Sequence, residues 1–214
     1  MSTMVLTHLI YLHGFRSSSQ STKARRMAQW VNAVNTVDAQ DMRKPQSHKL
    51  QWLCPDLPPS PAQAFDLVLQ LTRSWPSESM AVMGSSLGGF YAARLASIKA
   101  CKAVLLNPAV EPARDLVHHL GIQTAWHDPS QTFELKPEHV DELQALRVGP
   151  GTAWPDAQDM LSVIATGDEV LDWQEMVARY GYGRVHLIQG SDHGLSDFED
   201  HLPVIETFLN EFPS

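Results

Sequence analysis

The sequence predicts an α/β fold, with about six mostly parallel strands in one sheet and helices on both faces. Three observations predict it. Short apolar runs alternate with amphipathic helical stretches along most of the 214 residues. Several runs are continuously apolar, as strands covered on both faces must be. The runs stop at turn residues, among them His13-Gly14, Asn107-Pro108, Gly167-Asp168 and Gly190.

Residues 6–12 are a β-rich apolar run, hence a first strand. Residues 22–37 have Ala24, Met27, Ala28, Val31 and Val34 at helical spacing, and the polar stretch 38–49 is expected to be a loop. A short strand at 51–54 is cut off by Pro55-Asp56 and Pro58-Pro59, the proline pair stiffening the loop. Residues 61–75 form a helix with Ala64, Phe65, Val68, Leu69 and Leu71 inside. The strand at 80–83 leads into a helix at 89–100, whose apolar stripe is Phe90, Ala93, Leu95, Ala96 and Ile98. Strands follow at 103–106, 160–165 and 185–188, with a short helix at 173–180. The final helix is expected at 202–212, since Pro203 is tolerated only near a first turn. Residues 110–158 break the rhythm. They hold no convincing strand and two helical patches, 114–120 and 138–146, and so form a small helical cap inserted into a single domain spanning 1–214.

Composition narrows the class. With 43% hydrophobic and 19% charged residues, the chain is an ordinary globular protein. A net charge of −8 argues against a nucleic-acid surface, and Lys23, Arg25, Arg26, Arg43 and Lys44 are expected to be solvated charges. Two cysteines, Cys54 and Cys101, exclude a disulfide scaffold and favour a reducing, cytoplasmic location. The N-terminal stretch lacks a basic region and is a strand, not a signal peptide; no apolar run is long enough for a membrane span.

The chemistry concentrates at Gly84-Ser85-Ser86-Leu87-Gly88, a Gly-x-Ser-x-Gly frame between an apolar strand and a helix. A serine on that bend takes a strained backbone, and Gly84 and Gly88 remove the side chains that would clash. The helix behind Ser86 aims unpaired N–H groups at the reacting centre. A serine hydroxyl needs a base, and the base needs a group to orient it. Reactive groups in open α/β sheets gather at the carboxyl ends of strands. There the sequence offers Asp168 and, after the last strand, His193. The order Ser86, Asp168, His193 is that of the α/β-hydrolases. Backbone N–H groups of Leu87 and Phe15 are the expected oxyanion donors.

LIYLHGF at the first strand, GSSLGGFYA, LLNPAV, TGDE and GSDH together resemble the α/β-hydrolase superfamily, and more narrowly the bacterial YqiA/YcfP-type small esterases. The resemblance spans nearly the whole chain, from about Leu9 to the final helix. It implies a compact α/β-hydrolase fold that begins at the strand before the oxyanion loop, without the usual N-terminal antiparallel strands. It also implies Ser86, Asp168 and His193 as a triad, no cofactor or metal, and hydrolysis of small-molecule carboxylic esters.

Other residues compete for these roles. Ser85 precedes the apex, and Ser191 lies in the His193 loop. Asp172 could cap the helix beginning near Trp173, and Asp192 adjoins His193 too closely to reach its ring. His8 and His186 lie within strands, His13 suits a structural bond to backbone, His201 starts the last helix and His48 lies in the polar loop. His118, His119, His127 and His139 fall in the insertion without a metal-ligand spacing. Trp126, Trp154 and Phe133 either line an acyl pocket or anchor the insertion. The rival functions are an acyl-CoA thioesterase, a peptidase and a non-catalytic binding protein.

Overall fold

The computed structural model describes residues 5–40, 49–149 and 154–211. The first half runs β1 (His8–Leu12), α1 (Thr22–Gln40), β2 (Gln51–Leu53), α2 (Pro61–Leu71), β3 (Met80–Ser85), α3 (Leu87–Lys99) and β4 (Lys102–Leu106). The second runs α4 (Pro112–Leu116), β5 (Gly121–Thr124), β6 (Thr132–Leu135), α5 (Pro137–Leu146), β7 (Met160–Ala165), α6 (Trp173–Tyr180), β8 (Arg184–Ile188) and α7 (Phe198–Asn210). Six strands form one sheet in the order β2-β1-β3-β4-β7-β8, every neighbouring pair parallel.

Both faces of the sheet's centre are covered, which is why β3, β4 and β7 are largely apolar without alternation, whereas the edge strand β8 buries only Ile188. Leu9, Tyr11, Ala81, Met83, Val104, Leu106, Leu161 and Val163 pack against α1 and α7. Ile10, Leu12, Val82, Ala103 and Leu105 pack the opposite way, against Phe65 and Val68 of α2 and Leu95 and Ala96 of α3. All six residues of β3 and all six of β7 are buried. Burying each large apolar side chain contributes about 1.5–3 kcal/mol, so this centre is the rigid base on which the strand ends are held.

Parallel pairing puts the carboxyl ends of the strands on one edge. Leu12 lies opposite Gly84, Ser85 opposite Leu106, and Ala165 opposite Ile188. From β1 the chain goes to β2, then returns past β1 to β3, so the strand order reverses between β1 and β3. Open α/β sheets form their binding crevice at such a reversal.

Several expectations need correction. Helix α1 runs to Gln40, so residues 38–40 are helical; 41–48, with Arg43, Lys44 and His48, lie outside the described residues. Helix α2 stops at Leu71, where the backbone N–H of Thr72 turns back to Val68 and Gln70. Ile98 of α3 is half exposed rather than part of the buried stripe. Helix α7 starts at Phe198, which puts Pro203 in its interior. The missing proline N–H costs one helical bond, but Phe198, Leu202, Ile205, Phe208 and Leu209 still bury one face.

The insertion is not purely helical. It carries the antiparallel pair β5–β6, with Gly121 opposite Leu135 and Thr124 opposite Thr132. Asp128 ties the connecting turn, accepting from the N–H and hydroxyl of Ser130 and from Gln131. Trp154 packs edge-on against Tyr180 and beneath Arg179, so it anchors the insertion to the body. No helix among the described residues is long and apolar enough to cross a membrane.

Candidate active site

Ser86 occupies the turn between β3 and α3 at φ 55° and ψ −120°, a region that side chains rarely adopt. The surroundings enforce this conformation. The Ser86 N–H donates to the Leu106 carbonyl at 2.9 Å, and its own carbonyl accepts from Gly89, Phe90 and Ala109. A Cβ on Gly84 would stand 2.0 Å from the Gly88 carbonyl oxygen, and one on Gly88 2.0 Å from that of Leu12. Only glycine fits at either position.

His193 lies in the loop between β8 and α7. Its Nε2 is 3.0 Å from the Ser86 hydroxyl, and its Nδ1 is 2.8 Å from Oδ2 of Asp168. The Asp168 side chain is 0% exposed. Its second oxygen, Oδ1, accepts the N–H groups of Val170 and Leu171, both at 2.8 Å. The carboxylate is thus held from both sides, and since it only accepts, the proton on His193 sits at Nδ1. That leaves the Nε2 lone pair facing the serine hydroxyl.

Residues not anticipated from sequence hold the histidine loop. Asn107, fully buried at the end of β4, donates through Nδ2 to the carbonyls of Asp192 and His193 and accepts from Ala165 N–H. Its φ is 38°. The only sequence signal was its place at a strand end beside Pro108. Glu169 accepts the His193 N–H at 3.0 Å. Lys23 of α1 donates to the Gly194 carbonyl. Burial pushes its ammonium down to about 8, opposed by the negative charges of Asp192 and Asp168.

The competing residues have other work. Asp172 caps α6 by accepting from Gln174 N–H, and Asp192 accepts from Ser196 N–H. His13 accepts the Leu57 N–H at Nε2 and so donates through Nδ1 to Gly14 O; burial lowers its pKa. His8 bonds Thr7 and packs on Trp75. His139 sits in the first turn of α5, where its ring accepts the Lys136 N–H. His118 and His119 share a short turn after α4. No group of three metal-binding side chains is present among the described residues. Ser191 donates to Asp197, which accepts from His201, whose other ring nitrogen meets His186 at 3.0 Å.

Among the described residues the N–H groups of Leu87 and Phe15 donate to no protein acceptor. Their loops meet at the serine: a Cβ on Gly14 would lie 3.8 Å from the Ser86 hydroxyl. Beside them opens a cavity of about 550 Å³, walled by Leu57, Tyr91 and both prolines, Pro58 and Pro59, with Phe133 contributed by the insertion. Phe133 thus lines a pocket, packing edge-on against Phe15 at 5.7 Å, whereas Trp154 anchors.

The chain matches the family described as "Uncharacterised protein family (UPF0227)" over residues 8–210. A UPF0227 protein of Shewanella sediminis (strain HAW-EB3) is 21% identical over 202 residues, 94% of this chain and 98% of that protein. A solved structure from Agrobacterium vitis S4 superposes with a TM-score of 0.70 at 19% identity, covering 96% of this chain and 88% of the other. Mouse alpha/beta hydrolase domain-containing protein 10 gives 0.66 at 13% identity, covering 97% and 90%. Ferulic acid-bound Est1E of Butyrivibrio proteoclasticus gives 0.65 at 16%, covering 96% and 87%. The chain therefore belongs to the UPF0227 family, and its fold is the one these α/β-hydrolase structures share.

Proposed function

We propose that this protein is a serine hydrolase that cleaves carboxylic esters of small molecules through an acyl-enzyme. The observation that carries the reading is the unbroken row Ser86–His193–Asp168 on a strained turn, with distances of 3.0 and 2.8 Å. In the proposed reaction, the Ser86 oxygen attacks the ester carbonyl as its proton passes to Nε2 of His193. The carbonyl π electrons move onto oxygen, and the unspent N–H groups of Phe15 and Leu87 stabilise that charge. The tetrahedral intermediate collapses, the ester C–O bond breaks, and the alkoxide leaves with the proton from Nε2. Water, deprotonated by His193, then attacks the acyl-enzyme and releases the acid and free Ser86. Asp168 takes no proton; it holds the imidazole tautomer and stabilises the imidazolium.

No cofactor or metal enters this scheme. The insertion at 110–158 serves as a cap in the same reading, supported by Ala125, His127 and Phe133 lining the cavity beside the serine. A cytoplasmic location is also proposed, supported by Cys54 and Cys101 both being unpaired. The test is hydrolysis of p-nitrophenyl esters of graded chain length, with matched thioesters, by wild type and Ser86→Ala. Turnover lost in a folded variant supports the mechanism, and the oxygen-to-sulfur ratio separates esterase from thioesterase. Equal turnover in both proteins would sink it.

A further inference from the structure

We infer that the substrate carries a carboxylate at the end remote from the reacting carbonyl, and that Arg16 is the residue that recognises it. The inference rests on the active-site reading above, because Arg16 matters only if the cavity beside Ser86 holds substrate.

Arg16 follows Phe15 directly, so its Cα is about 3.8 Å from that of the proposed oxyanion donor. It lines the same cavity. Its backbone has φ 60°, a conformation that favours glycine, yet an arginine stands there. Three contacts fix it to the insertion. Its Nε donates to the Thr124 carbonyl at 2.6 Å, its carbonyl accepts from Trp126 N–H at 2.8 Å, and its guanidinium stacks 4.0 Å from the centre of the Trp126 ring. The plane of the fork is therefore set before any ligand arrives.

What remains is unspent. A guanidinium has five N–H donors, and only the Nε donor has a protein acceptor among the described residues; Arg16 forms no ion pair there. Asp56 also lines the cavity, but its Oδ1 accepts the Ser19 N–H, and that bond above all holds its carboxyl below the usual range. Among the described residues no hydrogen bond or ion pair joins Asp56 to Arg16. A planar, pre-oriented fork with free terminal donors, on a residue that lines the pocket, matches the two coplanar oxygens of a carboxylate. Because the fork is already immobilised, little entropy is lost when it binds.

The substrate class that follows is a monoester of a dicarboxylic acid. The test compares kcat/KM for p-nitrophenyl butyrate, for the mono-p-nitrophenyl esters of succinate, glutarate and adipate, and for a cationic aminoacyl p-nitrophenyl ester. Wild type, Arg16→Gln, Arg16→Lys and Ser86→Ala are measured side by side. Wild type is expected to favour at least one anionic ester over butyrate by about tenfold, equivalent to ~1.4 kcal/mol. Arg16→Gln should collapse that ratio, through KM more than kcat, and Arg16→Lys should restore part of it. A wild-type preference for neutral or cationic esters would overturn the inference. So would equal losses on all substrates in Arg16→Gln, which would mean that the residue only shapes the loop. Ser86→Ala separates the two levels: activity persisting there breaks the active-site reading itself, whatever Arg16 does.

Discussion

Two rows of the same residue types lie in and beside the loop after β8, and they are wired in opposite orders. In one, His193 stands between Ser86 and Asp168. In the other, Asp197 stands between Ser191 and His201, with His186 beyond. The difference decides the chemistry. A hydroxyl facing an imidazole lone pair can lose its proton as it attacks. A hydroxyl that donates to a carboxylate is held, since that carboxylate is a far weaker base than imidazole. The second row is a brace: it fixes Ser191, at φ 59°, two residues before His193.

The sharpest way to break this comparison is to delete each serine. Ser86→Ala is expected to lower kcat by roughly 10³–10⁶-fold, the range for removing an acyl-transfer nucleophile. Ser191→Ala should change kcat by no more than about threefold while lowering the thermal midpoint by a few degrees, the effect of one lost hydrogen bond. A larger loss in the second variant would mean the rows share function.

Asp168→Asn comes next. It keeps the shape but turns an acceptor into a possible donor, favouring the wrong His193 tautomer, and should cost on the order of 10²–10⁴ in kcat. Asn107→Ala follows, leaving the Ala165 N–H buried and unpaired and freeing the His193 loop. About 1–3 kcal/mol of stability should go with it, with kcat falling alongside, as urea unfolding and steady-state rates would record.

The smallest effect concerns His13, whose pKa is lowered by burial. Its folded value lies below its unfolded one, so the unfolded chain takes up the proton first as pH falls. Its stabilising contribution is complete above about pH 6.5 and is lost as pH falls through the lower folded value. Urea midpoints across that window should drop toward acid in wild type and drop less in His13→Gln. Parallel slopes would remove His13 as the cause.

The elements most legible in the sequence are those whose neighbours are also sequence-local. The strand–turn–helix around Ser86 encodes its own bend through Gly84 and Gly88, and β7 declares itself through five apolar residues in six, Ser162 being the exception. The same is true of the order Ser86, Asp168, His193, which follows from strand ends. The insertion is less legible because β5 buries no apolar residue, its Ile122 being exposed beside polar Gln123 and Thr124, and because the alternation of β6, Phe133 and Leu135 inward with Thr132 and Glu134 outward, lasts only four residues. Asn107, Lys23 and Arg16 were missed for another reason. Each acts across 58 to 171 residues of chain, through bonds to backbone carbonyls or amides that leave no mark on residue type. Helix α7 starts at Phe198 and not at the expected residue 202 because tertiary burial carries it through Pro203, a residue that sequence alone places in a first turn.

The most direct measurement is to react the protein with a fluorophosphonate and map the adduct by peptide mass spectrometry. A single modification on Ser86, abolished when His193 is replaced by alanine, is the expected result. Labelling of Ser191 or Ser85 instead, or no labelling of a folded protein, would contradict Ser86 as the nucleophile.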